Sequence, residues 1–556
     1  MMIIKMEIKY FNEESIKEIE KYCNIEDPSD SKLFHYILWK VNNLKCERIV
    51  IEYDYIDRDF SADYASYYST IFQESGKYCC RIHFFSNFEG DFPFDEKRDE
   101  NFRINLPALK EAYLGFIVIL PTTVKVIGRT VIKPYIHDVT KCCYCTVRCA
   151  TTVNIQGIPF SIESMPFIQK DENVGVCAST SIWMVSNYMN ARFGFQRHSL
   201  SQITFIANKY QRHNRMYPAM RGLDVKQIIT GFAELGYDSI IHYDRKTFHR
   251  EKWKPKEIIY KYIESELPVI AVIQGRHACV VIGHDFDPHK NIPKTHNIIS
   301  NAVFIRSFLI HDDDRGPFKL LPEIPNISNN GGDYEINDKH NSFKESPNVY
   351  SLYTMNGITN IIIPIFNKIY LEGPAVDDLI TSIFSDSSDK SIFNYYSRMI
   401  SVLEKSTDLE IKTIELARKF LDSINNGRIF YRSRFVLSNH LKENYLLLKS
   451  KVPFALGDSY SKMNLPRYVW LTELFFEDDL KNKMMLESDI DIVIGEILID
   501  ATGIDRLSSI ISVHFPGFLI IFNSLYFPTE MDEGEIFRFN VIQNDVPYEL
   551  YGRYAN

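Results

Sequence analysis

The sequence lacks an apolar run that is long enough to cross a membrane. The longest apolar runs, residues 113–121 and 515–522, are well short of the roughly 18 to 20 residues that a spanning helix needs. The amino terminus, MMIIKMEIKYFNEES, lacks the apolar stretch and the small-residue cleavage site of a secretory signal. We therefore expect a cytoplasmic protein with no membrane partner.

The sequence also lacks an excess of basic charge. It has 63 lysines and arginines against 72 aspartates and glutamates, which gives a net charge of −9. A protein that binds nucleic acid usually needs a basic surface for the phosphates, so we expect no nucleic acid partner. Ten cysteines in 556 residues are few for a disulfide framework, and in a reducing compartment we expect free thiols.

The chain has the composition of an ordinary globular protein, with 45% hydrophobic and 24% charged residues. Its length suits several domains of roughly 150 residues each. Helical and strand-like patterns occur throughout, which predicts an α+β fold. We expect an N-terminal α/β domain over residues 1–158, a central domain over 159–364 and a C-terminal domain of mixed helices and strands over 365–556. A stretch rich in glycine, asparagine and aspartate, residues 327–341, predicts an exposed loop.

One segment has the pattern of a nucleophile at the start of a helix. In residues 166–190, PFIQKDENVGVCASTSIWMVSNYMN, a polar loop leads directly into an apolar helix at Cys177. The unpaired N–H groups and the positive dipole end of a helix favour a thiolate, the reactive form of cysteine. The helix is apolar nearly all round, so we expect it to be buried and to hold the thiol rigidly. Taken alone, such a cysteine is more often a small buried hydrophobe.

A base and an orienting acid follow later in the chain. His277 opens a predicted strand 100 residues after Cys177, and Asp312 follows a further predicted strand. A thiol nucleophile needs a base, and a third group usually fixes the tautomer of that base. His284 competes for the role, but its odd separation from His277 places the two on opposite faces of an alternating strand. We predict that His277 is the base, while Asp312 could instead belong to a solvated acidic turn.

At these residues the sequence resembles the papain-like cysteine peptidases and, among them, the C39-like branch. In that family a glutamine-bearing loop leads to cysteine on the central helix, a strand carries His-x-x-x-x-x-Gly, and a later strand ends in aspartate before a Gly/Pro turn. The matching residues are Gln169, Cys177, His277 with Gly283, and Asp312 with Gly316, and the resemblance covers residues 160–320. Residues 113–130, YLGFIVILPTTVKVIGRT, are similar to a segment that accompanies such a core in bacterial proteins.

The resemblance implies a papain-like core with mixed α/β domains on either side, and a hydrolase that cleaves a peptide or protein amide bond through a thioester on Cys177. His277 would act as base and then as acid, Asp312 would fix its tautomer, and Gln169 would donate to the oxyanion together with the N–H of Cys177. No cofactor is expected. A transglutaminase or a deamidase would use the same dyad, and an inert scaffold or sensor is a third alternative. The flanking domains leave open a regulatory partner or a homo-oligomer.

Four cysteines lie close together in residues 141–150, KCCYCTVRCA. The spacing C-x-x-C occurs in zinc sites, but the usual second pair of ligands is missing. We predict one continuous strand over residues 142–155, on which Cys143, Cys145 and Cys149 share a face and Cys142 points to the other. Four ligands could not converge there, so no metal site is expected.

Overall fold

The computed structural model of the chain describes residues 6–72, 75–94, 103–135, 142–210, 222–243, 254–292, 298–323, 353–384, 392–403, 411–447, 454–486, 490–503, 508–522, 539–543 and 548–551. They form a mixed α/β fold with several antiparallel sheets, which confirms the mixture of helices and strands that the sequence predicts. Among these residues, no helix has both the length and the apolar character that crossing a membrane requires. The predicted loop at residues 327–341 lies outside the described residues.

The first sheet has five strands, which pair in sequence order from β1 to β5. All seven residues of its fourth strand are buried. Its second helix begins with Pro28 after Asp27, whose carboxylate accepts from the N–H of Ser29 at 2.9 Å, a common start signal. The elements are β1 (Met6–Tyr10), α1 (Glu13–Tyr22), α2 (Pro28–Asn43), β2 (Cys46–Tyr55), α3 (Arg58–Ser66), β3 (Cys79–Ser86), α4 (Leu106–Glu111), β4 (Tyr113–Ile119) and β5 (Ile127–Ile132).

The central sheet carries the candidate site. Its elements and their neighbours are β6 (Cys143–Cys145), β7 (Cys149–Ile155), β8 (Ile158–Ser164), α5 (Cys177–Phe193), α6 (Leu200–Ala207), α7 (Val225–Glu234), β9 (Asp238–Tyr243), α8 (Pro255–Glu264), β10 (Val269–Ile273), β11 (His277–Phe286), β12 (Ile299–Ser300), β13 (Ile305–Asp312), β14 (Gly316–Pro322) and β15 (Ile358–Ile365). The strand order is β14-β13-β11-β10-β15-β9, with β6 also paired to β11. Helices α5 and α8 both pack on β11, and every residue of that strand after His277 is buried.

The prediction of one strand over residues 142–155 is wrong. Strand β6 pairs with β11, whereas β7 forms a separate hairpin with β8. The physical reason for the break is in the connection between β6 and β7. There the N–H groups of Thr146 and Val147 both donate to the Ile282 carbonyl at 3.0 Å. These two bonds to one oxygen turn the chain away from β11 and into the hairpin.

The third sheet follows the order β12-β16-β17-β19-β20-β21-β22. Because β6 lies in the central sheet and β12 in the third, the sheets cross the predicted domain boundaries. The elements are α9 (Gly373–Phe384), α10 (Ile392–Leu403), α11 (Ile411–Asn425), β16 (Ile429–Leu437), α12 (Ser438–Leu447), α13 (Phe454–Lys462), β17 (Tyr468–Phe476), α14 (Glu477–Leu486), β18 (Ile490–Val493), β19 (Gly495–Asp500), β20 (Ile510–Phe515), β21 (Phe518–Phe522), β22 (Phe539–Gln543) and β23 (Tyr548–Tyr551).

Candidate active site

Helix α5 begins at Cys177, the residue that the sequence singles out. Val176 before it has an extended backbone, and no described side chain caps the first turn, so the first N–H groups of the helix have no side-chain acceptor. All residues from 178 to 189 are buried, whereas Cys177 is only partly buried. The thiol therefore stands on a rigid support and remains within reach of solvent.

The loop before Cys177 is held by Asp171. One carboxylate oxygen accepts from the N–H groups of Val174 and Gly175, at 2.9 and 2.8 Å, and the other accepts from the Tyr68 hydroxyl at 2.8 Å. These bonds tie the loop to the turn after α3 and fix the direction in which the chain enters α5.

The side chain of Cys177 lies close enough to His277, the first residue of β11, to act on the pKa of its ring. Nε2 of His277 lies 3.2 Å from Oδ2 of Asp312, which leaves Nδ1 as the ring atom for the thiol. The side chain of His277 is 23% exposed. Burial disfavours the charged ring, but the charge of Asp312, its hydrogen bond and the neighbouring Cys177 side chain outweigh burial and raise the pKa of His277 well above its usual value. These interactions favour the imidazolium form of the ring.

Asp312, the last residue of β13, is fully buried and accepts four hydrogen bonds. Oδ1 accepts from the N–H groups of Asp314 and Arg315 at 3.0 Å each, and Oδ2 accepts from His277 and from the Tyr353 hydroxyl. Burial raises the pKa of this carboxyl, but the charge of His277, its hydrogen bond and the charge of Arg315 overcome burial and hold the pKa well below its usual range. Asp312 is thus an oriented carboxylate and not a solvated turn residue.

Two glycines of the sequence motif have structural causes. A Cβ at Gly283 would lie 2.0 Å from the carbonyl oxygen of Tyr144 in β6, which crosses β11 there. Gly316 has a left-handed φ of 113° where β14 begins, and a Cβ would lie 2.9 Å from side-chain atoms of Leu33 and Tyr36 in α2. Gly283 therefore lets β6 approach β11, which carries His277, and Gly316 lets α2 approach β14 where it pairs with Asp312.

Comparison with known proteins gives no relative. No protein-family model matches the chain, and neither a curated protein nor a solved structure is found to match it. The resemblance to papain-like peptidases therefore stays a prediction, and the chemistry has to be argued from the site itself.

Gln169, the predicted oxyanion donor, is buried and has other partners. Its Oε1 accepts from the N–H of Ile127 at 3.1 Å, and its Nε2 donates to Oδ1 of Asp30 at 2.9 Å. One hydrogen of Nε2 remains for another acceptor. The oxyanion role of Gln169 stays a prediction that depends on that single hydrogen.

The competing histidine has a different partner. His284 is fully buried, and its Nε2 lies 2.8 Å from Oε1 of Glu264 in α8. The side chain of Glu264 in turn lies 3.5 Å from Arg432 in β16. His284 therefore belongs to a buried polar network between the central and third sheets, and the structure does not bring it to Cys177.

Sequence reasoning missed three residues of the site: Lys170, Asp313 and Tyr353. Asp313 directly follows Asp312, its side chain is 1% exposed, and one of its oxygens lies 3.7 Å from Nε2 of His277. Burial raises the pKa of Asp313 to about 8. Lys170 lies 2.6 Å from Asp314. No local pattern marks Tyr353, because it reaches Asp312 only through the pairing of β15 with β10.

Potential metal ligands meet at one place within the described residues. Atoms of His277, Asp313 and Asp314 all lie within 4.8 Å of one another. The clustered cysteines do not form such a group, since Cys142 donates to the Met484 carbonyl at 3.1 Å and Cys149 to that of Ser164 at 3.4 Å.

Proposed function

We propose that the protein is a papain-like cysteine hydrolase that cleaves an amide bond in a peptide or protein. The observation that supports this most strongly is the hydrogen bond between His277 and the buried Asp312, with Cys177 beside the same ring at the start of a buried helix. A thiol, a charged imidazole and an oriented carboxylate in this order are the parts that thioester chemistry needs. All ten cysteines are free, which supports a reducing compartment, the cytoplasm, as the place of action.

In the first half of the reaction the Cys177 thiolate attacks the carbonyl carbon, and the carbonyl oxygen becomes an oxyanion. The N–H groups at the start of α5 donate to this oxyanion, since no side chain caps them. The imidazolium of His277 then gives its proton to the amide nitrogen, the C–N bond breaks and the amine leaves. Cys177 is left as a thioester.

In the second half, water gives a proton to His277 and attacks the thioester carbonyl. The C–S bond breaks, the acid leaves, and the thiolate and the imidazolium are restored. Asp312 takes no proton in either half. It keeps Nε2 of His277 as a donor, so that Nδ1 faces the thiol and exchanges the proton.

Peptide cleavage tests the proposal directly. The full-length protein, Cys177→Ala, His277→Ala and the matched thiol variant Cys143→Ser would be incubated with a complex peptide mixture, and new termini identified by mass spectrometry. We expect cleavage by the wild type and by Cys143→Ser and a loss of at least roughly 100-fold in the other two. Ammonia release without new termini would indicate a deamidase or transglutaminase, and equal activity in Cys177→Ala would refute the proposed nucleophile.

A further inference from the structure

Asp313 is a buried carboxylate without a hydrogen bond. Its side chain is 1% exposed, and neither carboxylate oxygen has a hydrogen-bond partner within the described part of the chain. Its neighbour Asp312, in contrast, accepts four hydrogen bonds. Buried carboxylates are normally paired, hydrogen-bonded or bound to a metal ion. Asp313 pairs with Nε2 of His277 only at 3.7 Å, beyond hydrogen-bond distance, and the proposed hydrolysis gives Asp313 no task, so its position points to a ligand.

The surroundings of Asp313 have the geometry of a metal site. Its Oδ1 lies 3.7 Å from Nε2 of His277, and the nearest atoms of His277, Asp313 and Asp314 all lie within 4.8 Å of one another. Zinc bonds of about 2.0 to 2.2 Å to nitrogen and oxygen place tetrahedral ligand atoms roughly 3.3 to 3.6 Å apart. The Asp313–His277 pair is close to that separation, and the third ligand needs to move by about 1 Å.

We propose that His277, Asp313 and Asp314 bind a zinc ion or a similar divalent transition metal ion, and that this ion switches off the cysteine. Imidazole nitrogen favours such ions over calcium and magnesium, which prefer oxygen ligands. A water molecule would complete four ligands.

The inhibition depends on the ring atom of His277 that binds the metal ion, and this part rests on the proposed hydrolase function. A metal ion that binds Nε2 of His277 displaces the proton of that atom to solvent and replaces the hydrogen bond to Asp312. The neutral ring then keeps its proton on Nδ1, the atom that faces Cys177. It can neither accept a proton from the thiol nor hold the positive charge that pairs with a thiolate.

Lys170 lies where it competes with a metal ion for the carboxylate of Asp314. Its Nζ lies 2.6 Å from Asp314, and its charge also acts on Asp313 and Cys177. Lys125 is further away, at 3.9 Å from Asp314. Metal binding must release Asp314 from Lys170, so removing that ammonium should strengthen binding. Loss of Lys170 and loss of a metal ligand should therefore change the metal affinity in opposite directions.

Metal binding by the full-length protein tests the site. A background variant with Cys143→Ser and Cys145→Ser removes two partly exposed thiols that could also bind zinc. Zinc affinity would be measured by competition with a chromophoric chelator, and cobalt binding by its visible absorption. We expect one ion per chain, at least tenfold weaker binding in Asp313→Asn and tighter binding in Lys170→Met.

The control is Glu172→Gln, which removes a carboxylate 3.9 Å from Lys170 outside the cluster and should leave affinity unchanged. Unchanged affinity in Asp313→Asn, or weaker binding in Lys170→Met, would overturn the site. Alkylation of Cys177 tests the inhibition: zinc should protect it in the background variant and not in Asp313→Asn, and zinc bound through Asp313 without protection would overturn the inhibition. Because affinity is measured without substrate, the site can fail or stand independently of the hydrolase proposal.

Discussion

Replacing Asp312 with asparagine should impair His277 without removing any side chain from the proposed dyad. The change keeps an oxygen for the N–H groups of Asp314 and Arg315, which lie 3.0 Å from Oδ1. It puts an N–H₂ group in place of Oδ2, opposite Nε2 of His277. Two donors would then face each other across a distance that is now 3.2 Å, so the ring should turn to the tautomer with its proton on Nδ1.

The size of the expected effect follows from the lost charge of Asp312 and from the changed tautomer of His277. A carboxylate within about 4 Å raises the pKa of its partner by roughly 1 to 3 units, so the pKa of His277 should fall by about that much in Asp312→Asn. The wrong tautomer blocks proton transfer from the thiol, and the equivalent change in a serine protease lowers kcat about 10⁴-fold. We expect a loss of roughly 10² to 10⁴ in kcat here.

NMR titration of ring-labelled histidine, assigned with His277→Gln, measures the first effect. The control is Asp285→Asn. Asp285 is a buried carboxylate like Asp312, but it pairs with the side chain of Arg306 and not with His277. The His277 titration should move to lower pH in Asp312→Asn and stay in place in Asp285→Asn. An unmoved His277 titration in Asp312→Asn would refute the reasoning about the ion pair.

Three further changes test other parts of the structure. Tyr353→Phe removes one donor from Asp312 and should lower kcat about tenfold with little change in KM, which steady-state kinetics would measure. Burial raises the pKa of Asp63 to about 8, so this carboxyl should make stability fall as pH rises from about 4 to 8, and Asp63→Asn should remove its share of that fall in denaturant unfolding. Gly283→Ala would press a methyl group against the Tyr144 carbonyl and should cost about 3 kcal/mol of unfolding free energy, whereas an unchanged melting temperature would contradict the close approach of β6.

Local sequence patterns predict the elements that carry Cys177, His277 and Asp312. Helix α5 begins at Cys177, β11 begins at His277 and β13 ends at Asp312, each where the change in apolar pattern predicts it. These signals are local: a polar loop before an apolar run, a glycine turn before a strand, and an acidic turn after one.

The rest of the site depends on tertiary pairing, which a local pattern does not contain. Tyr353 reaches Asp312 because β15 pairs with β10, next to β11. The strand predicted across the four cysteines failed because two N–H groups share the carbonyl of Ile282. Alternation along one strand cannot reveal such a turn, just as it cannot reveal that Gln169 lies against Asp30 of α2.

Selective labelling of the ten thiols tests the central claim most directly. The native protein would be treated with limiting iodoacetamide near neutral pH, and the modified cysteine identified by peptide mapping in the wild type and in His277→Ala. We predict that Cys177 reacts first, ahead of the other partly exposed thiols, Cys23, Cys143 and Cys145, and that it reacts at least tenfold more slowly without the imidazolium. Faster labelling of Cys23, Cys143 or Cys145, or an unchanged rate at Cys177 in His277→Ala, would contradict the account.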